Sequence, residues 1–205
     1  MKTKKLLFYL LAGLLGGCLP IMSLHPLYTE KDLAFDEKLL GTWVDANENV
    51  WQFSDANKPE KAYELIFTDT EGKKGSFAAH LVKLDKKLFL DVYPNEMPLN
   101  LDDPNKTQWL YNTFLLIPAH TFIKVNAIEP QLKLQITDNE EFKKLLKEDP
   151  NVIEHTSIED KLVLTASTKE LQAFVLKYAN DSRVFTEEGI LNRKKTSEPN
   201  DPNKG

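Results

Sequence analysis

Cys18 is the only thiol in the 205-residue chain and stands directly after an apolar run near the N-terminus. No intrachain disulfide is open to it, so this placement suits covalent attachment better than core packing. The four histidines are His25, His80, His120 and His155. His80 and His120 fall in or beside predicted strands and could line one cavity with Asp91, as a metal site or an acid–base pair. The competing reading, ordinary hydrogen bonding by strand histidines, is preferred. Asp102-Asp103 precedes Pro104 in a turn-rich loop, and Glu140-Glu141 opens a helix, where negative charge offsets the dipole. Turn formation and the helix dipole explain these acidic pairs without a bound cation. A Gly-x-Ser-x-Gly elbow, His-Glu-x-x-His, a P-loop and paired cysteines are all absent. The sequence therefore points away from an enzyme, and no catalytic residue, metal or cofactor is expected.

The segment ahead of Cys18 supplies the context for its thiol. Lys2, Lys4 and Lys5 open the chain, residues 6–15 are apolar, and Gly16 and Gly17 are small, which is the pattern of an export signal. The apolar run is about twelve residues, short of the roughly 20 that a bilayer core requires. Leu15-Gly16-Gly17-Cys18 resembles the bacterial lipobox: an aliphatic residue, two small ones, then Cys. The resemblance implies cleavage between Gly17 and Cys18, with acyl chains such as palmitate on the Cys18 thiol and a further one on its new amino group. One chain binds a membrane marginally, whereas two or three hold it stably. Leu19 is not Asp, which by resemblance to enteric lipoproteins favours an outer membrane. Residues 1–17 are thus read as the signal and 18–33, with Pro20 and Pro26, as lipidated Cys and tether.

The mature part is acidic, since loss of the three signal lysines takes the formal charge from −5 to −8. That argues against nucleic acid and against polybasic attraction to anionic lipid. Eleven Phe, six Tyr and three Trp supply large side chains for a core.

Residues 34–191 read as one β-rich domain. A helical turn over 34–40 leads to Gly41-Thr42-Trp43. Trp51 and Phe53, then Tyr63, Leu65 and Phe67, then Phe77, Ala79 and Leu81, then Leu88, Leu90 and Val92 each alternate as one face of a strand. His80, Val82 and Leu84 form the opposite face of the third. Residues 94–108 make a polar loop, and 109–117 and 121–128 are the next strands. Leu132, Leu134 and Ile136 alternate with Lys133, Gln135 and Thr137. Asp138 with Glu141, and Ser167 with Glu170, form capping boxes that start two helices. The second helix carries Leu171, Phe174, Val175 and Tyr178 as one apolar stripe. A hairpin over 152–165 lies between them. Residues 192–205 form a polar tail. The fold class is mainly β with two helices, an antiparallel, strongly curved sheet or a lipocalin-like barrel.

Residues 35–43, ending in Gly41-Thr42-Trp43, resemble the opening motif of lipocalins and related calycin barrels. In that family a helical turn precedes Gly-x-Trp, the Trp closes the barrel base, and a late Arg stacks on it; here Arg183 and Arg193 are the candidates. The family's Thr-Asp-Tyr motif is absent, because Thr68-Asp69 and Thr137-Asp138 lack the Tyr. The resemblance implies an apolar pocket that Trp43, Trp51, Phe67 and Trp109 would line, with plain core packing as the competing role. Two functions follow: a membrane-anchored, non-enzymatic envelope lipoprotein that holds a small apolar ligand or lipid, or a scaffold lipoprotein that binds other envelope proteins. A hydrolase using His80 and His120 stands third.

Overall fold

The computed structural model describes residues 20–56, 61–95, 117–158 and 161–194. Cys18, Trp109, nearly all of the loop and strand expected over 94–117, and the tail from 195 lie outside them.

The described chain opens with β1 (Met22–Ser23) and β2 (Leu33–Ala34), and a 3₁₀ turn at Glu37–Leu39 follows. Asp36 caps that turn, its side chain accepting from the Lys38 N–H. Seven antiparallel strands come next: β3 (Gly41–Val44), β4 (Val50–Asp55), β5 (Ala62–Thr68), β6 (Lys74–Leu84), β7 (Lys87–Pro94), β8 (Thr121–Ala127) and β9 (Leu132–Ile136). Residues 137–188 then form an insertion containing α1 (Asn139–Glu148), the hairpin of β10 (His155–Ile158) and β11 (Lys161–Leu164), and α2 (Thr168–Lys177). The last strand is β12 (Gly189–Arg193).

β3 to β9 and β12 close into an eight-stranded antiparallel barrel, with β6 paired to both β5 and β7, and β12 to both β9 and β3. Closure leaves none of these eight strands as an open edge. The alternation in the sequence selects the inward face. Trp43, Trp51, Phe67 and Gly75 are successive cross-strand partners, as are Phe53, Leu65 and Phe77, and Leu81, Leu90, Ile123 and Ile136. The interior core contains Leu39, Trp43, Phe53, Tyr63, Leu65, Leu81, Leu90, Val125, Leu132 and Leu191. Each fully buried aromatic removes roughly 150–250 Å² from water, a gross gain of about 4–6 kcal/mol at ~25 cal/mol per Å².

A second core lies outside the barrel. Val82, Leu84, Phe89 and Phe122, on the outward faces of β6 to β8, pack against Phe142 and Leu145 of α1 and Leu171, Phe174 and Val175 of α2. This explains why β6 is apolar on both faces, with Phe77, Ala79 and Leu81 turned inward and Val82 and Leu84 outward. Both expected helix starts are present, the first with Asp138 as its N-cap and the second with the full expected box. Asp138 accepts from the Glu140 and Glu141 N–H groups, and Ser167 and Glu170 form a reciprocal capping box.

Two expected boundaries are corrected. Residues 20–33 are no free tether: Ile21, Ser23 and Leu27 are buried, β1 pairs in parallel with β11, and β2 pairs with β6. Apolar Ile21 and Leu27 fill the outer core, so the short Pro-containing segment gains burial by lying on the barrel rather than extending into water. The tail does not begin at 192 either, because Asn192 and Arg193 pair with Val44 and Trp43, and the Lys194 N–H donates to the Thr42 carbonyl.

Candidate functional site

The two ends of the barrel differ. One end, here the base, is closed by the 3₁₀ turn. Trp43 is fully buried there and donates from Nε1 to the Leu39 carbonyl at 2.9 Å. Arg193 lies over its ring, the guanidinium carbon 4.2 Å from the centroid. Arg193 also donates from Nη1 to the Leu40 carbonyl (2.8 Å) and from Nη2 to the Lys38 carbonyl (2.6 Å). These carbonyls belong to the turn that covers the base, so one cation joins the turn, the Trp and the closing strand. Arg183, the other candidate, is engaged elsewhere: it binds Asp181 through Nε and Nη2 and also pairs with Glu148, the last residue of α1. Gly41 has φ +120°, and a Cβ there would stand 2.6 Å from Arg193 Nη1.

Tyr63 adds a second tie at the base. Its hydroxyl accepts from the Asp36 N–H (2.6 Å) and donates to the Asp36 carbonyl (3.2 Å), and its ring stacks on Phe35. Burial pushes its pKa up to about 12, since the phenolate would lose solvation and meet the negative charges of Asp36 and Asp55.

At the opposite end, the mouth, inward-facing side chains are incompletely covered. Trp51, Phe67 and Phe77 are half-buried and Ile136 is exposed. Trp51 and Phe67 meet edge to face at 5.1 Å, and Trp51 Nε1 points to Asp45 Oδ2 at 3.3 Å. Of the four predicted lining residues, Trp43 is therefore the base plug, Trp51 and Phe67 belong to the mouth, and Trp109 lies outside the described residues. Plain packing describes Trp43. Phe77 and Ile136 were legible as inward by alternation, but their place at the mouth requires the closed register.

His80, Asp91 and His120 do come together, on the outer wall rather than inside a cavity. Asp91 is fully buried. Its Oδ1 is 2.6 Å from His120 Nδ1, and its Oδ2 accepts from the Leu27 N–H at 2.6 Å. His80 is the cross-strand partner of Asp91 and stacks on Tyr28 at 4.5 Å; Tyr93 meets the His120 ring at the same distance. A buried carboxylate needs such donors. One of them comes from the segment 20–28, so the cluster fastens that segment to the barrel. His25 is exposed, and His155 contacts the Ile153 carbonyl. Among the described residues, no group of three or more His, Cys, Asp or Glu side chains could hold a metal ion. No described helix is long and apolar enough to cross a membrane.

A cleft of about 720 Å³ lies outside the barrel between residues 150–155 and Glu170, Ala173, Phe174 and Lys177 of α2 with Tyr178 just after it. Comparison with protein-family models, with curated proteins and with solved structures gave no match to this chain.

Proposed function

We propose that this chain is an exported, non-enzymatic cell-envelope lipoprotein, held by acyl chains such as palmitate on Cys18, whose barrel takes a small apolar ligand or lipid chain at its mouth. The anchor reading rests on the lysine-led apolar segment ending in Leu15-Gly16-Gly17-Cys18. An outer-membrane location is the reading that Leu19 favours. The observation that carries the ligand half is the half-buried Trp51–Phe67 pair, next across the sheet from the buried Trp43 and leading from it toward the mouth. The filled base, with Trp43, Phe53, Tyr63, Leu81 and Leu90 buried, restricts that ligand to the upper part of the barrel. Apolar walls with a few convergent polar groups suit a small apolar guest.

The anchor is tested by metabolic labelling with palmitate. The wild type incorporates label and Cys18→Ser does not. Ligand binding is tested with a fluorescent fatty acyl probe, for which Trp51→Ala weakens affinity about tenfold through lost apolar contact. Absence of saturable binding to the wild type would sink the ligand half and leave the anchor untouched.

The second reading, a scaffold for another envelope protein, is favoured by the cleft beside α2. Its two walls are joined to the barrel by the outer core, and its Glu154, Glu170 and Lys177 offer charged contacts to a protein partner.

A further inference from the structure

The point where the chain enters the folded body is fixed at the mouth end by three contacts. The Ile21 N–H donates to Thr137 Oγ1 at 3.0 Å, and Thr137 follows the last residue of β9. Ser23 and His120 exchange backbone hydrogen bonds of 2.9 Å, and His120 precedes the first residue of β8. Met22 pairs in parallel with Val163, which carries Pro20 toward the β10–β11 turn, where Ile158 faces Lys161. From this entry the chain descends the outer wall, past Asp91 at Leu27, to the base at the 3₁₀ turn.

Cys18 and buried Ile21 are three residues apart, a span of about 10–11 Å at most. An acylated Cys18 therefore has too little chain to let the barrel tumble freely above the lipid. Exposed apolar side chains stand near the entry point, among exposed polar ones such as His25, Ser157 and Lys161. Ile158 is 62% exposed on the hairpin, Leu24 44% just after β1, Ile117 79% ahead of His120, and Ile136 38% beside Thr137. These are four of the five large apolar side chains that stand exposed among the described residues. Isolated exposed apolar residues need no explanation, but this set surrounds the entry of the chain.

We propose that the mouth end of the barrel is a membrane-docking face, seated on the lipid surface with Ile136, Ile158 and Ile117 in contact with it and the base turned away. The inference rests on the lipoprotein reading above. It names the lipid surface as the partner of this face and opens the mouth toward the bilayer. The acidic mature chain offers no polybasic patch, so docking works through the anchor and apolar contact and needs no anionic lipid.

The test uses the full chain, isolated from cells after labelling with palmitate and reconstituted into phosphatidylcholine vesicles containing nitroxide-headgroup lipid. Acylation blocks the only native thiol, so Ile136→Cys, Ile158→Cys and Lys86→Cys each present one site for a fluorophore. Lys86 lies in the exposed β6–β7 turn at the base. The expected result is loss of fluorescence at positions 136 and 158 and none at 86, unchanged by adding phosphatidylglycerol. Equal quenching at all three sites, or quenching at 86 alone, overturns the orientation while the palmitate label keeps the anchor reading standing. A chain that takes up no label, with Cys18 itself open to the fluorophore, overturns both.

Discussion

The guanidinium of Arg193 lies 4.2 Å from the centre of the Trp43 ring while donating to the carbonyls of Lys38 and Leu40. The last residue of the closing strand thereby locks the first strand and the turn that leads into it. Each contact draws on the same cation, so removing it undoes the seam of the barrel as a unit.

Arg193→Ala is expected to destabilise the fold by about 2–3 kcal/mol, from lost charge-assisted hydrogen bonds and the cation–π contact. Arg193→Lys should recover only part of this, because an ammonium lacks the planar fork that reaches two carbonyls. Urea unfolding followed by tryptophan fluorescence measures both. A cost within error of zero for Arg193→Ala would show that the seam holds without its cation.

Gly41→Ala should cost about 1–3 kcal/mol, because φ at +120° is strained for any residue with a Cβ. Part of the cost is the 2.6 Å approach to Arg193 Nη1. The double variant with Arg193→Ala should therefore be less destabilised than the sum of the two single variants. Strict additivity would assign the whole effect to the backbone.

Asp91→Asn should loosen the segment 20–28. The amide replaces one acceptor oxygen by a donor, so the Leu27 N–H keeps its acceptor only if the NH2 faces His120, which must then accept at Nδ1, and both contacts lose the carboxylate's charge, at a cost of about 1–3 kcal/mol. Hydrogen exchange at the Leu27 amide should accelerate more than exchange at Leu191 in the barrel core. Equal acceleration at both sites would mean global loss rather than local release.

Tyr63 predicts an alkaline limit. Its pKa rises from 10.0, the ordinary value of a tyrosine hydroxyl, to about 12 in the fold, chiefly through burial. The folded state holds the proton more tightly, so this contribution is complete below pH 10 and is lost as pH rises toward 12. Stability followed by urea unfolding should fall across that window. Tyr63→Phe should flatten the fall, while costing about 1 kcal/mol at neutral pH because the Asp36 N–H loses its acceptor.

Much of the barrel was legible because strand alternation is local. Phe77, Ala79 and Leu81 against His80, Val82 and Leu84 separate the two faces of β6 from sequence alone. The second set being apolar also hints that something covers the outer wall. The candidate residues were harder. Trp43 and Trp51 look alike as inward aromatics, yet one is a sealed plug and the other half-open. That difference depends on where the 3₁₀ turn sits relative to the strand ends. His80, Asp91 and His120 could be grouped as chemically related, but their wall of the barrel follows from side-chain parity combined with the insertion that packs over it. Within the tether expected over 18–33, the described residues 20–33 depart from it for a related reason. Pro20 and Pro26 exclude a helix, but only the outer core shows that Ile21 and Leu27 have a surface to bury against.

The sequence by itself determined the inward sets of β4 to β7 and of β9, the starts of two helices and the Gly41–Trp43 turn, because these follow from period, capping and backbone freedom within a few residues. Only the tertiary structure decided that β12 closes on β3, that Arg193 rather than Arg183 meets Trp43, and that the chain enters at the mouth. Those outcomes depend on pairings between residues up to 155 positions apart, such as Arg193 with Lys38. Local propensity carries no term for such distances, and the cost of closing so long a loop is met only when the whole barrel forms at once.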